Sequence, residues 1–165
     1  MNKLLLTMPA LLAPVFLSFS SPAMAQAMTP SEFVKTAGAS DLYERQSSEM
    51  VLQTTSNPAV KSFASMMVAD HTKSTAKVKA AAAKSRIKAA PPMLTPAQTE
   101  MIARLKAESG TARDAAYIAQ QKSAHQQALA VHRAYAKDGT SGPLKAVAAD
   151  VVPVVEHHID MLKAM

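Results

Sequence analysis

The 165-residue chain has no cysteine, no tryptophan, only four glycines and 4% aromatic residues. Each shortage excludes something. Without cysteine there is no thiol nucleophile, no Cys-based metal site and no disulfide, so in an oxidising compartment the chain must hold together by its core alone. Four glycines leave no Gly-rich loop to cradle a phosphate, and neither a nucleophile elbow nor a His-Glu-x-x-His pair occurs. So few aromatics leave little to stack on bases, which argues against nucleic acid as a partner despite a formal net charge of +6.

One extended apolar run is present, Leu4 to Phe19, and Pro9 and Pro14 interrupt it. Lys3 precedes it, and Ala23-Met24-Ala25 follows with the small-x-small pattern that a signal peptidase reads. The prolines, the short run and the missing basic stop count against a membrane span. Residues 1–25 are therefore expected to be a cleaved secretory signal and residues 26–165 one domain, placed in the periplasm or otherwise exported without a transmembrane anchor. Losing Lys3 lowers the net charge to +5. Lys73, Lys77, Lys79, Lys84, Arg86 and Lys88 gather toward the end of one segment. They read as a solvated face that offers only weak contact to an anionic surface.

What remains is Ala-rich and reads as helix almost throughout. Thr29-Pro30-Ser31-Glu32 opens a first helix with a capping box, running to about Thr55. Asn57-Pro58 turns the chain into a second helix that continues to about Lys88. Thr95-Pro96-Ala97-Gln98 begins a short helix that fades at Ser109-Gly110. Thr111 begins a long one through Tyr135, and the last follows the turn Asp138 to Pro143, with Pro153 expected to kink it. The fold class expected is all-α: an up-down-up-down four-helix bundle with a short extra helix between two hairpins.

Polar residues interrupt the apolar stripes at one level. Val60, Phe63, Ala64, Met67, His71, Ser74 and Val78 recur at helical spacing with His71 in their midst. His125 lies in the stripe Ile118, Gln121, His125, Ala128, Leu129, His132, and His158 in the stripe Leu144, Val147, Val151, Val154, Val155, His158, Leu162. At 1.5 Å per residue, Glu44 and His71 stand roughly 20 and 21 Å from the Asn57 turn, and His125 and His158 roughly 22 and 27 Å from the Thr140 turn. Glu44, His71, His125 and His158 are thus candidate metal ligands at mid-bundle, with Asp70 as an alternative ligand or an outer partner. Imidazole and carboxylate suit one Zn, Cu, Ni or Fe ion. The dinuclear carboxylate site of such bundles is excluded, because the residues three before the histidines are Val68, Lys122 and Val155 rather than glutamate. His132 and His157 are expected to be exposed. The 11 methionines include no copper-carrier array and read as core fillers.

The stretch FVKTAGASDLYERQSSEMVLQTTSNPAVKSFASMMVADHTKSTAKV resembles the opening hairpin of the exported bacterial domain-of-unknown-function 4142 family, within the ferritin-like superfamily. The family's helix-one glutamate, Asn-Pro turn, Val-Lys-x-Phe-Ala and Met-x-x-Asp-His correspond to Glu44, Asn57-Pro58, Val60 to Ala64 and Met67 to His71. Its Phe-Asp-x-x-Tyr is similar to Arg113-Asp114-Ala115-Ala116-Tyr117, with Arg113 in place of phenylalanine, and its Leu-Pro-x-x-x-x-His to Val152-Pro153 through His158. The resemblance implies a ferritin-like bundle in the cell envelope and supplies no reaction.

Three functions compete at this point: a one-metal protein for storage, buffering or stress protection, a non-catalytic structural or interaction module whose polar cluster specifies the bundle, and a redox enzyme on a degraded ferritin site, which the missing carboxylates disfavour. N-terminal sequencing of the exported protein should begin at Gln26; retention of Leu4 to Phe19 would contradict the signal reading.

Overall fold

The computed structural model describes residues 28–165, so the expected signal at residues 1–25 lies outside the described residues. Five helices follow in order: α1 Pro30–Leu52, α2 Pro58–Lys84, α3 Pro96–Ala107, α4 Gly110–Asp138 and α5 Gly142–Lys163. Among the described residues there is no strand, and no helix is long and apolar enough to cross a membrane. Local chemistry sets the starts. Thr29 Oγ1 accepts from Glu32 N, and Glu32 returns a bond from Thr29 N at 2.8 Å. Asn57 Oδ1 accepts from Ala59 N, and Thr95 pairs reciprocally with Gln98.

Helix α2 stops earlier than its Lys-rich pattern suggests. Arg86 adopts φ 58°, Ile87 N donates to Ala82 O at 2.9 Å and Arg86 N to Ala83 O at 3.0 Å. This is a Schellman closure, with Ile87 packed on the apolar cluster beneath. Helix α5 runs unbroken through Pro153. Pro153 and Ala149, whose carbonyl loses its donor, are both exposed, so water can satisfy that carbonyl.

The direction of the helices follows from their contacts. Phe33 stacks on Tyr135 near the start of α1, Tyr43 Oη donates to Gln120 midway, and Thr55 Oγ1 donates to Asp114 beyond its end. Helix α4 is therefore antiparallel to α1. Asp70 reaches His158 and Ser85 reaches Ser141, so α5 is antiparallel to α2. The four long helices form the expected all-α bundle with a short helix between the hairpins, but in the sense up-down-down-up. Helices α2 and α4 run in the same direction because the segment carrying α3 climbs back along the bundle against α1 and α4. Gly38 admits this crossover: a Cβ built there would stand 3.3 Å from Pro92 Cβ.

Two apolar regions cap the core. Phe33, Val34, Val78, Ala82, Tyr135 and Leu144 fill one end, and Val51, Val60, Phe63, Met67, Leu105 and Leu162 fill the other. Leu129, Val151, Val155 and Ile159 seal α4 against α5. Val154, expected on the inner stripe, is 39% exposed. The buried positions of α5 step through 148, 151, 155, 158, 159 and 162, which turns Val154 toward water.

Replacing Arg86 by glycine should stabilise the protein by roughly 0.5–1 kcal/mol, because a left-handed conformation costs a side-chain-bearing residue about 1–2 kcal/mol and glycine returns part of that as unfolded-state entropy. Urea unfolding of the two proteins checks it.

Candidate metal centre

Helices α2, α4 and α5 each bring one imidazole to the layer between the two apolar ends. One ring nitrogen from each of His71, His125 and His158 lies within 4.8 Å of the others, and all three residues are buried. His125 meets His158 and His71 edge to face, with centroids 5.3 and 5.9 Å apart, and His71 and His158 are tilted to each other at 6.0 Å. Phe63, just over two turns before His71 on α2, stands against both His125 and His158 and closes the site on its apolar side.

The hydrogen bonds on the outer edges decide what faces inward. His71 Nδ1 donates to Asp41 Oδ1 at 2.9 Å. His125 Nδ1 donates to the carbonyl of Gln121 at 3.0 Å, an oxygen that can only accept. His158 Nε2 lies 3.3 Å from Asp70 Oδ2. The carboxyl of Asp70 is held below its ordinary range: its modest burial opposes ionisation, but bonds from Lys73 and His158 outweigh it. An ionised carboxylate can only accept, so the neutral His158 ring keeps its proton on Nε2 and donates it there, which leaves a lone pair on Nδ1. His125 Nε2 carries a lone pair by the same logic, and these two nitrogens are 3.3 Å apart.

Burial keeps both rings neutral. It pushes His125 down to about 3 and His158 down to about 4, with the charge of His71 adding to each. His71 differs. Burial opposes its protonation, yet the Asp41 bond and the nearby charges of Glu44, Asp41 and Asp70 hold it above its ordinary value, and its Nε2 has no partner. Asp41 is itself fixed, since Oδ2 accepts from Thr75 Oγ1 at 3.1 Å. Three inward nitrogens, each backed by an acceptor on its far side, form a donor set of the kind that suits a borderline divalent ion.

Glu44 comes to the same layer on another side. Its Oε1 is 3.7 Å from His125 Nδ1, the nitrogen that faces away from His158, and both its carboxyl oxygens are buried without a hydrogen-bond partner. Burial pushes this carboxyl up to about 7, against the pull of His71. The structure thus brings His71, His125 and His158 together, sets Asp70 behind His158, and leaves Glu44 beside His125 outside the cluster of three.

Two residues depart from the sequence reading. His132, expected to be exposed, is 5% exposed and packs edge-on against Phe33, with ring centroids 5.4 Å apart. The stripe of α4 runs Asp114, Tyr117, Gln121, His125, Leu129, His132, Tyr135, so the residue seven after a buried histidine is buried too. Asp41 carries no motif that marks it in the sequence. It lies three residues before Glu44 on the same face of α1, and that spacing was its one signal. His157 is exposed, as expected.

Comparison with known proteins agrees with this architecture. The profile of the family described as "Domain of unknown function (DUF4142)" matches residues 18–165. A DUF305 fragment from Deinococcus radiodurans superposes with a TM-score of 0.70 at 14% identity, over 82% of this chain and 93% of the fragment. A DUF305 protein from Streptomyces coelicolor, provisionally described as secreted, superposes with a TM-score of 0.63 at 16% identity, over 83% of this chain and 91% of its own. At that identity the likeness concerns the fold. No curated protein matches the chain.

Burial pushes His132 down to about 4, as it does His158. The unfolded chain takes up these protons near pH 6.5, before the folded chain does, so stability falls as pH drops from about 6.5 toward 4. In chelator, native protein should lose stability across that window. His132→Phe, which keeps the ring and cannot protonate, should lose less, by up to about 1 kcal/mol per pH unit. Urea unfolding at pH 7, 6 and 5 measures the slopes; equal slopes would contradict the assignment.

Proposed function

On the premise that the chain belongs to the DUF4142 family, we propose that it is an exported helical-bundle protein that binds a single transition-metal ion at mid-bundle, in the service of metal storage, buffering or stress protection in the cell envelope. The export reading rests on the signal-like pattern of residues 1–25. The metal reading is carried by one observation: the inward nitrogens of His71, His125 and His158 converge while each outer nitrogen is engaged by an acceptor. In this reading His71 Nε2, His125 Nε2 and His158 Nδ1 are the ligands. Asp41, the Gln121 carbonyl and Asp70 orient the rings and raise their basicity. Glu44, weighed as a ligand from the sequence, is assigned instead to His125, whose Nδ1 it approaches at 3.7 Å. An all-nitrogen set of this type suits Zn, Cu(II), Ni or Fe(II), and the metal supplies a Lewis-acidic centre when bound.

A second reading has its own observation. Phe63 packs its ring on two of the three imidazoles much as it would on apolar neighbours, which is what a bundle-specifying polar cluster in a non-catalytic structural or interaction module requires.

Thermal unfolding of untagged protein separates the two. If the histidines bind metal, Zn, Cu, Ni or Fe should raise the melting temperature of the native protein by mass action. His71→Gln or His158→Gln should weaken affinity about 10-fold or more while the bundle stays folded. If the cluster is structural, both variants lose about 1–3 kcal/mol with or without metal. Identical native melting temperatures in chelator and in every metal would defeat the metal reading.

A further inference from the structure

A cavity of about 100 Å³ opens beside the histidines between α2 and α5. His71, His158, His132 and Asp41 lie at its buried end, with Val151 and Val155 along its wall. Exposed Lys73, Lys77 and Asp150 stand at its rim. The charges around it are already answered: Asp41 by His71 and Thr75, Asp70 by Lys73 and His158, Asp150 by Lys77.

Two buried nitrogens at this end have no partner. One is His71 Nε2, from α2; the other is His132 Nδ1, from α4. His132 is held by the edge-on contact with Phe33, yet its Nδ1 finds nothing within the protein. A buried polar atom left unpaired costs about 1–3 kcal/mol, and this cavity, which His132 lines together with His71 and His158, has room for a partner. At about 30 Å³ per water, the space admits roughly three water-sized groups. Three neutral imidazoles also leave the charge of a divalent ion uncompensated, and three protein ligands are the number found where a further position stays exchangeable.

We propose that this cavity receives a small monoanion of about three heavy atoms, of the azide, formate or hydroperoxide class. One end faces the metal side at His71 and His158, and His132 supplies a hydrogen-bonding partner to the ligand. The inference rests on the metal reading above and deepens it: the site is open to exchange with small ligands rather than closed around its ion.

Untagged protein loaded with Co²⁺ tests this by visible spectroscopy during an azide titration. The Co²⁺ bands should shift saturably with azide. His132→Phe should weaken azide binding at least fivefold while Co²⁺ affinity is unchanged, and Val151→Met, which narrows the cavity, should weaken azide in the same way. Co²⁺ bands that form but ignore azide would overturn the open site and leave metal binding standing. An azide affinity equal in native protein and both variants would overturn the role of the cavity. Absence of Co²⁺ bands altogether would remove the metal reading, and this inference with it.

Discussion

The acceptors placed behind the imidazoles govern the centre of this molecule. Asp41, the Gln121 carbonyl and Asp70 each occupy an outer ring nitrogen, from α1, α4 and α2 respectively. Had any of them been a donor instead, the ring would turn its proton inward and the three nitrogens could pair among themselves. Acceptors on every outer side disfavour that for neutral His125 and His158. Their inner nitrogens then face each other as lone pairs 3.3 Å apart, an arrangement relieved by a cation or a proton among them. His71, held basic by the carboxylates around it, is where a proton competes for that place.

The polar layer is costly and the rest of the fold offsets it. Glu44 and Gln121 carry buried oxygens without partners, and such groups weigh against folding by a few kcal/mol together. Dense apolar ends flank them, with Phe33 and Tyr135 stacked at one and Phe63 and Tyr117 edge to face at the other. Shorter polar ties hold the layer in register: Ser48 with Tyr117 at 2.7 Å, Tyr43 with Gln120 at 2.9 Å, and Gln121 Nε2 with Ser47 at 3.2 Å. An uninterrupted apolar core would be simpler to stabilise. The persistence of so many buried polar groups at one level is what makes a binding role a better account than a purely structural one.

Much of this could be read from the residues in order. Capping boxes at Thr29 and Thr95 and the turn at Asn57-Pro58 announce themselves locally, because caps and turns are short-range chemistry. Convergence of the histidines was also legible, for a reason that did not depend on the topology. His71 and His125 lie near the centres of helices of 27 and 29 residues, so counting from either end gives mid-bundle; His158 lies in the last third of the 22-residue α5 and reaches that level by counting from the Thr140 turn. The sense of α4 was not legible. The crossover carrying α3 can double back or climb the bundle, and only its packing at Gly38 and Gln120 decides. Asp41 and His132 were missed because their roles depend on rotation about the helix axis, where one residue is worth 100° and an Ala-rich stripe marks the buried face weakly.

In the metal reading, specific ring nitrogens point inward with free lone pairs and take up one metal ion. Long-range ¹⁵N correlation spectra of the imidazoles, recorded while Zn²⁺ is titrated into metal-free protein, address it atom by atom. One equivalent of Zn²⁺ should bind, with large shifts at His71 Nε2, His125 Nε2 and His158 Nδ1 and little change at the protonated outer nitrogens and His157. Spectra that stay the same on adding Zn²⁺, or a proton found at His158 Nδ1 in the metal-free protein at neutral pH, would contradict it.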